Sequence, residues 1–394
     1  MATTVLKLGV AGLGRAFTLM LPTFTQDPRV KLVAASDPRA EACARFVQDF
    51  GGRVHASVES LCADPGVEAI YVATPHQLHA AHAIAAARAG KHVLVEKPLA
   101  VTVGEARAIT EAAEVAHVHV VVGHSHSFDA PIARTRALIA SGEFGRLRMV
   151  TALNFTDFLY RPRRPEELDT AQGGGVVFSQ GAHQVDIVRL LGGGRLRSVR
   201  AITGAWDASR PTEGAFAALL AFEDGAFASL AYNGYGHYDS DALMGGLGEL
   251  GRPKDPMAHG AARRALAKAP GAAAEALAKA ARNYGGADFR APAGEPPWHE
   301  HFGFLVASCE HADLRPTPQG IEISADTERR FIPLERPAVP RAEVIDELYA
   351  AVVQGRAPLH GARWGLATLE ACVALLRSAR EQRDIGLEHQ CGVE

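Results

Sequence analysis

The stretch KLGVAGLGRAFTLMLPTF, Lys7 to Phe24, decides the fold. KLGVAGL is a short apolar run, as expected of a parallel strand covered on both faces. Gly12-Leu13-Gly14 then turns the chain into a helix. One glycine permits the tight bend and the other lets the backbone approach a pyrophosphate. The helix N-terminus, opened by Arg15 and Ala16, offers N–H groups to that anion. Phe17 replaces the third glycine of G-x-G-x-x-G. That puts close helix–strand packing in question, but not the phosphate turn.

Outward from this turn the same grammar repeats. VKLVAASD is a second strand, VEAIYVATP a third ending at Pro75, HVLVEKP a fourth and VHVVVGHSH a further one. LHAAHAIAAARAG between them is an alanine-rich helix closed by Gly90. Strands alternating with helices indicate an α/β chain that opens with a doubly wound parallel (Rossmann) sheet over residues 1–125. Asp37 ends the second strand, where a carboxylate hydrogen-bonds ribose hydroxyls and repels a 2′-phosphate. This favours NAD, while nearby Arg39 keeps NADP open.

After Phe128 the pattern changes. IARTRALIASGEFG reads as a helix. RLRMVTALNFTDF, LRSVRAITGAW, AFAALLAFEDGAFASLAYNG and GIEISA read as longer strands, with Glu223–Gly225 as a hairpin turn. Residues 126–394 are therefore expected to form an α+β domain on a large, mainly antiparallel open sheet. A helical, alanine-rich insertion at about 240–298 interrupts it, with two pieces split at Pro270-Gly271 and a return to the sheet at Pro296-Pro297. That insertion is read as a surface feature, a lid or an oligomer contact. RWGLATLEACVALLRSAREQRD is a closing amphipathic helix.

Bulk properties narrow the function. At 394 residues the chain is too long for one comfortable core. A formal net charge of -3 gives no reason to expect nucleic acid or a membrane surface. The five cysteines are scattered without a CxxC or metal-ligand spacing, as for reduced thiols in a cytoplasm. No apolar run reaches the roughly 20 residues of a membrane span, and no metal is expected.

The residues Thr74-Pro75, His79, Ala89-Gly90-Lys91-His92 and Glu96-Lys97-Pro98 resemble the signature of the glucose–fructose oxidoreductase / inositol dehydrogenase (Gfo/Idh/MocA) family, with His76 in place of its usual Asn. GGGVVFSQGAHQVDIVRLLGG, from Gly173, is similar to the family's second motif, a glycine run with D-x-x-x-H. HFGFLVASCEHADLRPTPQGIEI, the Arg282–Gly286 stretch and the C-terminal helix look like the family's phthalate dihydrodiol dehydrogenase branch.

The resemblance implies an NAD(P)-dependent dehydrogenase that oxidises a secondary alcohol. The substrate is expected to be a carboxylated cyclic dihydrodiol, oxidised to a catechol. A sugar or inositol dehydrogenase and an NAD-recycling lyase or hydrolase are the alternatives. It implies a homodimer or homotetramer assembled through the second sheet, and it places Thr74, Pro75, His76, His79, Glu96 and Lys97 along the cofactor. Lys97 and His183 become the catalytic pair. A lysine has a pKa of about 10.4 and acts as a base only when burial or nearby cations bring it toward about 7–8.

Ser179 stands where the family has an aspartate four residues before the histidine. Serine can orient an imidazole but cannot supply charge. On a helix, Asp186 shares a face with His183 and could supply it. The competing reading of His183 is an ordinary helix histidine. Gln180, with His124 and His126 at the end of the last parallel strand, is expected to face substrate. So are Arg163 and Arg164 of the run containing Arg161, because guanidinium forks suit carboxylates. The competing reading pairs those arginines with Glu166, Glu167 and Asp169 of their own loop.

Overall fold

The computed structural model describes residues 4–290 and 297–393. Pro296, half of the expected return to the sheet, lies outside the described residues. The chain divides into two compact units. Unit 1 comprises 1–124, 276–294 and 339–369; unit 2 comprises 125–275, 295–338 and 370–394.

Unit 1 is built on strands β1 (Leu6–Ala11), β2 (Val30–Ser36), β3 (Arg53–Val54), β4 (Ala69–Val72), β5 (His92–Val95) and β6 (Val120–Val122). All pair in parallel, in the order β3-β2-β1-β4-β5-β6. Their near-continuous apolar content follows from burial on both faces, as at Leu8, Val10, Ile70, Tyr71 and Leu94. The order reverses between β1 and β4, and ligands bind beyond the strand ends at such a switch point. β3 is only two residues long and carried no sequence signal.

Unit 2 holds a nine-stranded sheet. Its strands are β7 (Leu147–Phe155), β8 (Leu196–Gly204), β9 (Ala215–Phe222), β10 (Phe227–Asn233), β11 (Phe304–Cys309), β12 (Ala312–Thr317), β13 (Gly320–Ala325), β14 (Arg329–Pro333) and β15 (Ile385–Gly386). The order is β14-β13-β12-β11-β7-β10-β9-β8-β15. Only β7 and β10 pair in parallel; the other neighbours are antiparallel. One face buries Val150, Leu220, Leu230 and Tyr232, while Ile202, Leu219 and Phe227 are exposed.

The two alanine-rich helices of the insertion run Ala261–Ala267 and Ala272–Ala281, broken at Pro270-Gly271 as the sequence suggests. The insertion is more than a surface feature. Glu275 is buried against Arg210 at 2.9 Å and also accepts the Arg163 N–H. Removing one partner of a buried pair strands the other charge. Glu275→Ala should therefore destabilise the protein by about 3–5 kcal/mol in urea denaturation, and Arg210→Met added to it should recover part of that loss.

Candidate active site

In unit 1 the glycine turn is shaped by close approach. Gly12 has φ +93°, its N–H donates to the Ser36 carbonyl, and a Cβ there would stand 2.7 Å from the Ala73 oxygen. Gly14 faces open space, with nothing within 4 Å of its notional Cβ. It caps the helix Arg15–Gln26, and no side chain caps that end. An open cradle beside a helix N-terminus is what a dinucleotide pyrophosphate requires, so these residues fit the group. Leu13 N–H donates to Asp37 at 2.6 Å, and Arg39 donates to the same carboxylate from its backbone N–H at 2.8 Å and its Nε at 3.1 Å.

The Thr74 and Lys97 turns follow β4 and β5. His79 is fully buried, with its ring nitrogens 2.9 Å from the Thr74 oxygen and 2.8 Å from the Pro98 oxygen. Burial outweighs those carbonyls and pushes its pKa down to about 4. The neutral ring donates to one of these carbonyls and sits between the two turns. His76 packs beside it, ring centroids 5.5 Å apart. Glu96 is buried and accepts the Tyr71 hydroxyl at 2.5 Å. Burial pushes its carboxyl upward against the Tyr71 hydrogen bond and the charges of Lys97 and Arg341. Lys97 itself is half-buried, and His124, the last residue of unit 1, is buried.

In unit 2 the glycine run wraps a buried carboxylate. A Cβ on Gly174 would stand 2.6 Å from the Glu166 oxygen, and one on Gly175, at φ +75°, 2.0 Å from Glu213 Oε1. Glu213 accepts the Val177 N–H at 3.2 Å and the Thr170 hydroxyl, anchoring the start of a π turn, Val177–Gly181. The helix Ala182–Leu191 continues from it. Such turns frequently mark functional sites. Ser179 and Gln180 lie in this turn. The Gln180 amide donates to the Ser179 carbonyl at 3.0 Å and accepts the Tyr232 hydroxyl at 3.3 Å.

His183 is buried between two rings, His126 at 4.8 Å and Phe302 at 4.8 Å between centroids. Asp186 accepts a hydrogen bond from Ser127, which ties this helix to the segment carrying His126. His126 lies between carboxylates, 2.7 Å from Asp129 and 3.4 Å from Glu249. Burial opposes its charge, yet Asp129 and Glu249 outweigh burial and raise its pKa to about 10. Asp129 starts the helix Ala130–Ala140 but makes no side-chain cap there, its carboxylate being turned to His126 instead. His126, Asp129 and Glu300 bring ligand-type atoms within 4.8 Å of one another. His126 and Asp129 within this group are hydrogen-bonded at 2.7 Å.

The arginine run divides. Arg164 pairs with Glu166 at 3.0 Å and Glu167 at 3.6 Å, the own-loop reading weighed above. Arg163 stacks on Phe158, 3.6 Å from the ring centroid, and donates to the Phe158 carbonyl at 2.8 Å. Burial lowers its pKa to about 10. Arg161 pairs with Asp157 at 3.2 Å and interacts electrostatically with Glu249 and Tyr232. Glu249, Tyr232, Phe302 and Glu213 were missed from sequence. Only Tyr232 carried a signal, a polar-tipped ring on the buried alternation of β10.

Residues 6–124 match the model of the oxidoreductase family with an NAD-binding Rossmann fold, and residues 132–251 match the GFO/IDH/MocA C-terminal domain. The 1-carboxy-3-chloro-3,4-dihydroxycyclohexa-1,5-diene dehydrogenase of Comamonas testosteroni is 46% identical over 96% of this chain and 96% of its own. The scyllo-inositol 2-dehydrogenase (NAD(+)) of Bacillus subtilis is 31% identical over 50% of this chain and 55% of its own. A crystal structure from Bordetella bronchiseptica RB50 superimposes with TM-score 0.91 at 40% identity, covering 98% of this chain and 100% of that one. The WlbA dehydrogenase of Bordetella pertussis, in complex with NADH and UDP-GlcNAcA, has TM-score 0.68 at 23% identity over 98% and 99%, a likeness of fold alone.

Two predictions follow from unit 2. Gly175→Ala adds a Cβ at positive φ against Glu213, and should cost at least about 2 kcal/mol in thermal unfolding. His126 titrates with a raised folded pKa, so its contribution to stability is complete below about pH 6.5 and is lost as pH rises through about 10. Asp129→Asn should therefore cost about 1.5–3 kcal/mol at pH 6. That cost should shrink when the same urea titration is run near pH 10.

Proposed function

The chain belongs to the GFO/IDH/MocA oxidoreductases, and within them we propose that it oxidises a carboxylated cyclic dihydrodiol to a catechol, with NAD as acceptor. The observation that carries this reading is its 46% identity, along 96% of both chains, to a dehydrogenase named for such a substrate. Unit 2 supports it chemically. The rings of His183, His126 and Phe302 suit a flat unsaturated ring. Arg161 brings a cation for a carboxylate, with Asp157 as its present partner.

In this reading residues 1–125 bind the cofactor, with 276–294 and 339–369 counted in the same unit, and the remainder of 126–394 binds substrate. Gly12 to Gly14 hold the pyrophosphate and Asp37 stands at the ribose end. Bound NAD would supply the hydride acceptor. Lys97 takes the hydroxyl proton as the carbinol carbon is oxidised, with His183 as its helper or as a substrate anchor. The resulting ketone tautomerises to the catechol, and aromatisation draws the reaction forward. The exposed Ile202, Leu219 and Phe227 of β8 to β10 support a homo-oligomer contact on that sheet face. The cysteines are free, as expected of a cytoplasmic enzyme.

The test is NADH absorbance with a panel of carboxylated cis-dihydrodiols, glucose and myo-inositol, run with NAD and NADP in parallel. Turnover on the dihydrodiols is expected; turnover on polyols alone would sink the reading. Lys97→Ala should lower kcat by about a hundredfold or more. Arg161→Met should raise KM for the carboxylated diol by roughly tenfold to a hundredfold, with a much smaller change in kcat.

A further inference from the structure

Arg39 stands two residues beyond Asp37, where a free guanidinium would accommodate the 2′-phosphate of NADP. Here it is held on three sides. Its Nε donates to Asp37 at 3.1 Å and one terminal nitrogen to the Leu13 carbonyl at 2.7 Å. The other terminal nitrogen donates to the Tyr284 carbonyl at 3.2 Å. Two of these acceptors belong to the glycine turn and the end of β2. The third comes from the far end of the alanine-rich insertion.

Tyr284 is itself firmly held, and fully buried. Its N–H donates to the Thr18 hydroxyl at 2.9 Å, which in turn donates to the Gly14 carbonyl at 2.8 Å. Its hydroxyl donates to Asp49 at 2.8 Å. Its ring meets Phe17 edge-on, 5.1 Å between centroids. Gly285 follows at φ +77°, where a Cβ would stand 2.6 Å from the Ala42 Cα. The segment thus contacts both the helix Arg15–Gln26 and the helix Ala40–Phe50. Phe17, the residue that breaks the third-glycine rule, is one of its seats.

We propose that the Tyr284 segment is a positioning element for Arg39 that sets the preference for NAD over NADP. By fixing the guanidinium on Asp37, Leu13 and its own carbonyl, it keeps that cation from turning to a 2′-phosphate and keeps the Asp37 carboxylate in place to repel one. The inference rests on the dinucleotide site and not on the dihydrodiol assignment, so failure of that substrate reading leaves it standing.

Calorimetric titration of the full-length protein with NAD and with NADP, in the absence of substrate, tests it. Wild type should bind NAD more tightly. Tyr284→Phe keeps the ring and the carbonyl, and should leave the NADP-to-NAD affinity ratio within about twofold of wild type. Tyr284→Ala should raise that ratio about tenfold or more, and Arg39→Ala added to it should abolish the gain. Thr18→Val removes only the oxygen that receives the Tyr284 N–H while keeping side-chain volume. It should shift the ratio the same way by at least threefold, and provides the decisive reading if Tyr284→Ala does not fold. An equal loss of affinity for both dinucleotides, or an unchanged ratio in folded Thr18→Val, would overturn the proposal.

Discussion

The approach of Gly12 to the Ala73 carbonyl governs the dinucleotide unit. β1 and β4 are neighbours at the point where the strand order reverses, and the turn after β1 folds down onto the end of β4. A side chain at position 12 would hold the two apart. With them in contact, Leu13 presents its N–H to Asp37, and the helix Arg15–Gln26 begins at Gly14, beside open space and without a side-chain cap. Phe17 then falls on the side of that helix where Tyr284 packs. The backbone constraint comes first, and the polar and aromatic contacts are arranged around it.

Unit 2 solves a similar problem with a charge. Its glycine run closes on Glu213, which is buried and accepts a helix-start N–H from Val177 and hydroxyls from Thr170 and Thr212. Burial pushes its carboxyl upward, while these donors favour the ionised form. The glycines are needed because carbonyls of the preceding turn and Glu213 itself occupy the space a Cβ would fill. The outcome is a fixed entry into the helix that carries His183.

Much of this was legible in the sequence, and the reason is locality. A strand buried on both faces, a glycine turn into a helix, the Glu223–Gly225 hairpin and the Pro270-Gly271 break are each written in a few adjacent residues. β12 and β14 were not read as strands, because Asp313, Arg315 and the arginines of β14 mask their alternation. The site was less legible still. Apolar period reports which face is buried, but it does not name the polar partner across the fold. Glu249 reaches His126 from 123 positions away, and Tyr284 reaches Thr18 from 266. Where partners were local, as for Arg164 with Glu166 and Glu167, the sequence did contain the answer as one of two readings.

Ser179 is best understood through charge. The neighbourhood of His183 already contains Asp129 and Glu249, matched by a cationic His126 and by Arg161. An aspartate at position 179 would add a further carboxylate in the turn that leads into His183, where Glu213 and Asp186 already stand. Against a neutral polyol that extra charge is harmless and can assist the imidazole. Against a substrate that itself bears a carboxylate it is a like charge, costly in a water-poor site. Serine keeps a hydrogen-bonding group in the turn and removes the repulsion. Its presence and a carboxylated substrate are therefore physically consistent requirements, and Asp186, bonded to Ser127, is left to hold the helix in place.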